Sequence, residues 1–302
     1  MHGWLVIDKP AGLGSTQIVS AVKRALRDGG YPKVKVGHGG TLDPLATGVL
    51  PVALGEATKL AGRMLDADKL YGFTIGFGEE TDTLDAEGAV VARSDVRPTV
   101  EAAQAVLGRF LGEIDQVPPA FSALKVNGRR AYDLARAGAG PKMQSRRVTI
   151  FDLTATGEAQ GGLLPSLTLT ARVSKGTYIR SLARDIARAL ESVGHVTMLR
   201  RLKAGPFTLE RAISLDKLGE LAKARELEQA LLPLTAGLDD IPALSVTPDQ
   251  ARSLREGRRL AGTAAKPGLH LATAGSVPVA LVELDGDELR VVRGFNLIDE
   301  GV

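Results

Sequence analysis

Apolar and polar positions along this 302-residue chain follow two rhythms. In Ser166–Val173 (SLTLTARV) they alternate one for one, the period of a half-buried strand. Trp4–Ile7, closed by Asp8-Lys9-Pro10, and Thr74–Phe77 are short apolar runs that also read as strands. Ile18, Val19, Val22 and Leu26 recur at helical spacing up to Gly29-Gly30. A second helical stripe is formed by Ile179, Leu182, Ile186 and Leu190 before Gly194, with Arg180, Arg184 and Arg188 on a different face. Ser214–Leu232 is amphipathic with mixed charges and reads as a helix broken in two. Near the end, Val277–Glu283 and Leu289–Val292 flank Asp285-Gly286, a hairpin signal. Strands and helices mix without strict alternation, which predicts an α+β fold rather than a doubly wound parallel sheet. A boundary near Asp239–Pro242 divides the chain into residues 1–240 and a small β-rich segment, 241–302, that would lean on the larger domain.

Composition adds limits. Hydrophobic residues make up 44% and charged residues 24%, ordinary for a globular protein with a real core. With no cysteine there are no disulfides, thiolate metal sites or cysteine nucleophiles. The first residues lack a signal-peptide layout, and no apolar run approaches the roughly 20 residues that span a bilayer. The expectation is a cytoplasmic protein without a membrane partner. Net charge is only +3, but it is segregated: Ser122–Ile150 holds seven Lys/Arg against one acid, and Arg172–Lys203 eight against two. Glu79–Asp115 holds nine acids against three bases. Such segregation can build a positive surface for a polyanion, although charge runs are more often solvated faces.

The search for chemistry begins with absences. Four scattered histidines and no HExxH argue against a catalytic metal, and no GxSxG elbow supports a serine hydrolase. The Gly12–Gln17 turn lacks the Gly-Lys-Ser/Thr of a phosphate loop and reads as a helix cap. Gly37–Pro51 (GHGGTLDPLATGVLP) stands out: Asp43 lies among glycines at 37, 39, 40 and 48, which let a backbone bend and admit a bulky partner. An aspartate is ionised at neutral pH and needs no general base to act as a nucleophile, but a buried one needs a cation beside it. In isolation, an Asp-Pro pair is more often a turn opener.

That stretch does not stand alone. With DKPAG (8–12), GEATK (55–59), DADKLY (66–71), SALK (122–125), SKGTYIRSLARD (174–185) and HVTMLRRL (195–202), it resembles the bacterial tRNA pseudouridine-55 synthases, the TruB family. The motifs stand in the family's order over most of the first 240 residues. Guide-RNA-dependent relatives share GTLDP but typically continue Lys-Val-Thr-Gly where this chain has Leu45-Ala46-Thr47-Gly48. The resemblance implies a largely antiparallel mixed sheet with a C-terminal PUA-like module. It also implies conversion of the T-loop uridine of tRNA to pseudouridine on a flipped base, with no cofactor, metal or guide RNA, by a monomer. Asp43 matches the catalytic aspartate, Tyr71 the tyrosine that stacks on the base, and Arg180 the arginine paired with the aspartate. Tyr178 and Leu199 match pocket positions, His38 the histidine on the RNA side, and Lys59 a family-typical lysine with a structural or phosphate role. Phosphate grip falls to Lys125–Arg147 and to Arg200, Arg201 and Lys203. Two readings compete: a non-catalytic RNA-binding protein, against which Asp43, Tyr71 and Arg180 argue together, and a carboxylate glycosidase, which lacks a second carboxylate in the motif.

Overall fold

The computed structural model describes residues 1–126, 128–138, 140–155, 162–263 and 265–297. Positions 127 and 139 of the expected basic stretch, and 264 and 298–302 of the expected C-terminal segment, lie outside it.

The strands in chain order are β1 (Gly3–Lys9), β2 (Val36–His38), β3 (Thr47–Leu54), β4 (Lys69–Phe77), β5 (Glu79–Thr81), β6 (Val90–Arg93), β7 (Gly112–Gln116), β8 (Lys125–Val126), β9 (Arg129–Arg130), β10 (Arg146–Ala155), β11 (Ser166–Val173), β12 (Gly194–Ala204) and β13 (Phe207–Thr208). The C-terminal strands are β14 (Ala243–Ser245), β15 (Gly268–Ala274), β16 (Val277–Asp285) and β17 (Glu288–Gly294). The helices are α1 (Ser15–Asp28), α2 (Ala61–Asp66), α3 (Val100–Leu107), α4 (Ala131–Arg136), α5 (Ile179–Ala189), α6 (Leu215–Ala224) and α7 (Pro248–Arg255).

The main sheet runs β1-β3-β12-β4-β11-β10-β7, with β2 and β13 added at its flanks. Every pairing is antiparallel except the short β3–β12 contact, where Thr47 meets Arg200 and Gly48 meets Arg201. This is the mixed, largely antiparallel α+β architecture expected. Both faces of β1 are buried: Leu5 and Ile7 join the core shared with α1 and α5, while Trp4 and Val6 join a second apolar cluster. Strand periodicity sends alternate residues to opposite faces, so one short run serves two cores.

The helices end where local chemistry stops them. At α1, Gly14 has no side chain to cap the helix, and the Gln17 Oε1 accepts the Gly14 N–H instead at 2.7 Å. At α6, the Ser214 side chain accepts from the Lys217 N–H, and Arg225 closes the helix in the left-handed conformation at φ 60°. A 3₁₀ turn, Leu227–Ala230, follows, so Ser214–Leu232 is indeed interrupted. The hairpin expected at Asp285-Gly286 joins β16 to β17, with Gly286 at φ 62°.

The C-terminal sheet, β14-β15-β16-β17, does not merely rest on the rest of the chain. Leu271, Leu281 and Phe295 share one apolar cluster with Trp4, Val49, Ala53 and Phe207. Lys59 Nζ donates to the Gly294 carbonyl at 2.8 Å and pairs with Glu56 at 2.7 Å, while the Glu56 carboxylate accepts the Asn296 N–H at 2.7 Å. Burial pushes the Glu56 carboxyl up, but Lys59 and the Asn296 N–H outweigh it and hold it below its ordinary value.

Candidate active site

Asp43 lies in the loop between β2 and β3, and every neighbouring turn of that loop is tied down. The Leu42 N–H donates to Ser15 Oγ at 2.8 Å, and the Leu42 carbonyl accepts from the same hydroxyl at 3.2 Å. The Pro44 carbonyl accepts from the Gly12 N–H at 2.9 Å and from Lys9 Nζ at 3.1 Å. Lys9 is fully buried, donating also to the Pro10 and Leu13 carbonyls. Burial drives its pKa down from 10.5 to about 8, with Arg201 adding to the effect while Asp43 and Glu87 oppose it.

Arg180 enters from the first turn of α5. Its Nε lies 2.9 Å from Asp43 Oδ2 and its Nη1 lies 3.4 Å from Asp85 Oδ2. The Nε hydrogen does not align with the Asp43 oxygen, so that contact is an ion pair without a formed hydrogen bond. Nη1 and Nη2 donate to the Thr83 and Phe121 carbonyls at 2.7 and 3.0 Å. A guanidinium at a helix N-terminus opposes the helix dipole, and at 5% exposure it also loses hydration. Two carboxylates and two carbonyls offset both costs and fix the plane of the group. Asp85 was not singled out in the sequence, where it is one of nine acids in Glu79–Asp115. That acidic segment folds back on the basic one, pairing Arg180 with Asp85 and Arg188 with Glu80, so segregation along the chain partly cancels in space.

Asp43, Tyr71, Tyr178, Arg180 and Leu199 line one cavity of about 290 Å³. Cross-strand register explains the grouping. On β12, Leu199 and Arg201 are two residues apart and face the cavity, with Arg201 paired to Tyr71 on β4. Tyr178 caps α5; its N–H donates to Gln116 Oε1 at 2.8 Å, and the Arg146 guanidinium sits 4.8 Å from its ring centroid. His38 lines a wider cleft on the other side of Asp43 and Arg180. Its Nδ1 accepts from the Gly40 N–H at 3.4 Å, and burial, then Arg201, push its pKa below the ordinary value, favouring the neutral ring.

Two expectations change, for Arg200 and Arg201, and for Lys59 the structural one of its two expected roles is what the fold shows. Arg200, between Leu199 and Arg201, faces away from the cavity: its guanidinium forks onto Asp8 at 3.0 and 2.8 Å, so it is committed to an internal partner. Lys59 is not at the cavity either; it braces the junction with the C-terminal sheet. Arg201, expected on phosphate, is 1% exposed and donates to the carbonyls of Val49, Thr41 and Gly40 at 2.8, 3.3 and 3.3 Å. The glycines read as space for a partner partly serve the protein itself. Gly48 sits at φ 99°, where a Cβ would collide with the Arg201 backbone carbonyl, and a Cβ at Gly39 would meet the Met64 side chain.

Comparison with known proteins bears on this geometry. The model for the N-terminal domain of TruB family pseudouridylate synthases matches residues 27–179, and that for the tRNA pseudouridylate synthase B C-terminal domain matches residues 180–239. The chain belongs to the TruB family of pseudouridylate synthases. It is 65% identical to a tRNA pseudouridine synthase B of Novosphingobium aromaticivorans, over 99% of both chains. It is 61% identical to one from Zymomonas mobilis, over 98% of this chain and 96% of that one. Among solved structures, a chain of an H/ACA RNP bound to a substrate RNA containing 2′-deoxyuridine superposes with TM-score 0.72 at 25% identity, covering 98% of this chain and 85% of that one. The family's members are isomerases, and that resemblance was legible in the ordered motifs. No described helix is long and apolar enough to cross a membrane.

Proposed function

We propose that this chain is a tRNA pseudouridine synthase that isomerises the T-loop uridine at tRNA position 55, with Asp43 as nucleophile on a flipped-out base. The observation that carries the reading is the Asp43–Arg180 ion pair at a cavity whose other walls include Tyr71 and Leu199. Arg180 sets a fixed positive charge 2.9 Å from the carboxylate and restricts where it points. Tyr71 stacks on the base, and Leu199 and Tyr178 supply further wall of the cavity. The uridine must leave its stack to reach Asp43, at a cost of a few kcal/mol. A neutral imidazole at His38 suits the stacking face left behind. The enzyme acts alone in the cytoplasm as a monomer, without cofactor, metal or guide RNA. Residues 1–240 form the catalytic domain and 241–302 a PUA-like module that helps hold tRNA.

Incubating purified protein with unmodified tRNA, followed by chemical mapping of pseudouridine, tests this reading. One new pseudouridine at position 55 is expected. Its absence, or modification at a different site, would contradict it.

A further inference from the structure

Arg201 is a cation that the reading above leaves without a task. Three of its five N–H groups hold the carbonyls of Gly40, Thr41 and Val49, leaving one N–H on each terminal nitrogen. It lines the same cavity as Asp43 and Tyr71. Among the described residues no carboxylate pairs with it, whereas Arg180 has Asp43 and Asp85 and Arg200 has Asp8. Its field reaches the groups around it: Lys9, His38 and Lys69 each have a lowered pKa to which Arg201 contributes after burial.

A cavity that takes a neutral uracil gains little from such a charge in the ground state. Among the described residues, Lys69, Arg146, Arg180 and Arg201 line it, against Asp43 as the one acid. The charge appears later. When the N1–C1′ bond breaks, its electron pair stays on uracil, spread over O2 and O4. Asp43 bonds to C1′ as N1 leaves, and the uracil pair then forms the C5–C1′ bond, displacing the carboxylate with its own pair. The C5 proton then leaves and N1 takes one up, so no oxidant or co-reactant is needed. A fixed, dehydrated cation beside a group that becomes anionic lowers the barrier without reorganising.

We propose that Arg201 acts in this reaction through its charge at the cavity wall: its buried, unpaired guanidinium stabilises the departing uracil anion across that wall while its N–H groups position the loop that carries Asp43. The proposal rests on the pseudouridine-synthase reading. A merely structural Arg201 would slow every substrate alike. A fluorine at C5 withdraws electrons and stabilises the uracil anion by itself, so a charge-stabilising Arg201 matters less for 5-fluorouridine.

The test is the single-turnover rate of C–N cleavage at saturating T stem-loop, carrying uridine or 5-fluorouridine at the target. Products are read by nuclease digestion and mass spectrometry. Arg201→Gln is expected to lose about 100-fold on uridine but about 10-fold or less on 5-fluorouridine, with RNA affinity within about threefold. Arg201→Lys, which keeps the charge, is expected to lose less than the glutamine variant on uridine. Should Arg201→Gln fail the far-UV circular dichroism check for folding, the lysine variant carries the same comparison against wild type: a smaller loss on 5-fluorouridine supports the proposal. Equal losses on both substrates would overturn it, and so would weakened RNA binding with an intact saturating rate, which would mark a phosphate contact. Wild-type protein that converts neither substrate would instead refute the underlying functional reading.

Discussion

Two regions of the molecule collect basic side chains, and they use them differently. At the junction with the C-terminal sheet, Lys59 is neutralised by Glu56 and holds the Gly294 carbonyl, so its charge is spent on joining two parts of the fold. At the cavity, Arg180 is shared between Asp43 and Asp85, and Arg201 faces only carbonyls. A neutralised cation contributes to stability. Beside the cavity, an unpaired cation such as Arg201 is placed to act on what enters, and one paired with a cavity carboxylate, as Arg180 is with Asp43, holds that carboxylate in place. Loss of a side chain at the cavity should therefore reduce turnover, and loss at the junction should reduce stability.

Arg180→Lys should show the larger effect. One ammonium cannot span Asp43 and Asp85 while serving two carbonyls, so turnover at saturating RNA should fall by about 100-fold, with affinity changed by about threefold or less. Single-turnover kinetics with a separate binding titration checks this. Near-wild-type turnover would erase the contrast between the two regions.

At the junction, Phe295→Ala opens a cavity among Trp4, Phe207 and Leu281, where Phe295 is 1% exposed. Destabilisation of about 3 kcal/mol is expected from denaturant unfolding, with the turnover of folded protein within about twofold of wild type. A variant that unfolds normally yet loses turnover would show that the junction serves the reaction directly.

The order of those two effects was not legible in the sequence, although most of the fold was. Ser166–Val173 became β11 because period-2 alternation survives any partner, and Ile179, Leu182 and Ile186 became the buried stripe of α5 for the matching reason at period 3.6. Asp43, Tyr71 and Arg180 could be brought together because their motifs stand in a recognisable order. Arg200 and Arg201 show the limit. Adjacent strand residues must face opposite ways, but which one meets Asp8, 192 positions away, depends on tertiary pairing that no local pattern encodes. Asp85 was hidden among neighbouring acids for the same reason, and Lys59 carried no mark of its distant carbonyl.

The smallest expected effects are in pH: in both regions stability rises with pH, but in different windows. Lys9 and Lys69 fall from 10.5 to about 8 in the folded protein, chiefly through burial. Between about pH 8 and 10.5 the unfolded chain therefore holds protons that the folded one has shed, so these groups make stability rise with pH. The Glu56 carboxyl is held below its ordinary 4.5, so its contribution is present above that value and is lost as pH falls through the lower folded one. Denaturant unfolding across pH should find the alkaline slope reduced in Lys9→Met and the acid slope reduced in Glu56→Gln. Unchanged slopes would contradict the assignments.

The central claim is that Asp43 is the nucleophile, and one measurement reaches it most directly. Asp43→Asn should bind a T stem-loop with affinity within about threefold of wild type and form no pseudouridine under single-turnover conditions, because a neutral amide cannot replace the carboxylate. Measurable conversion by that variant would contradict the account.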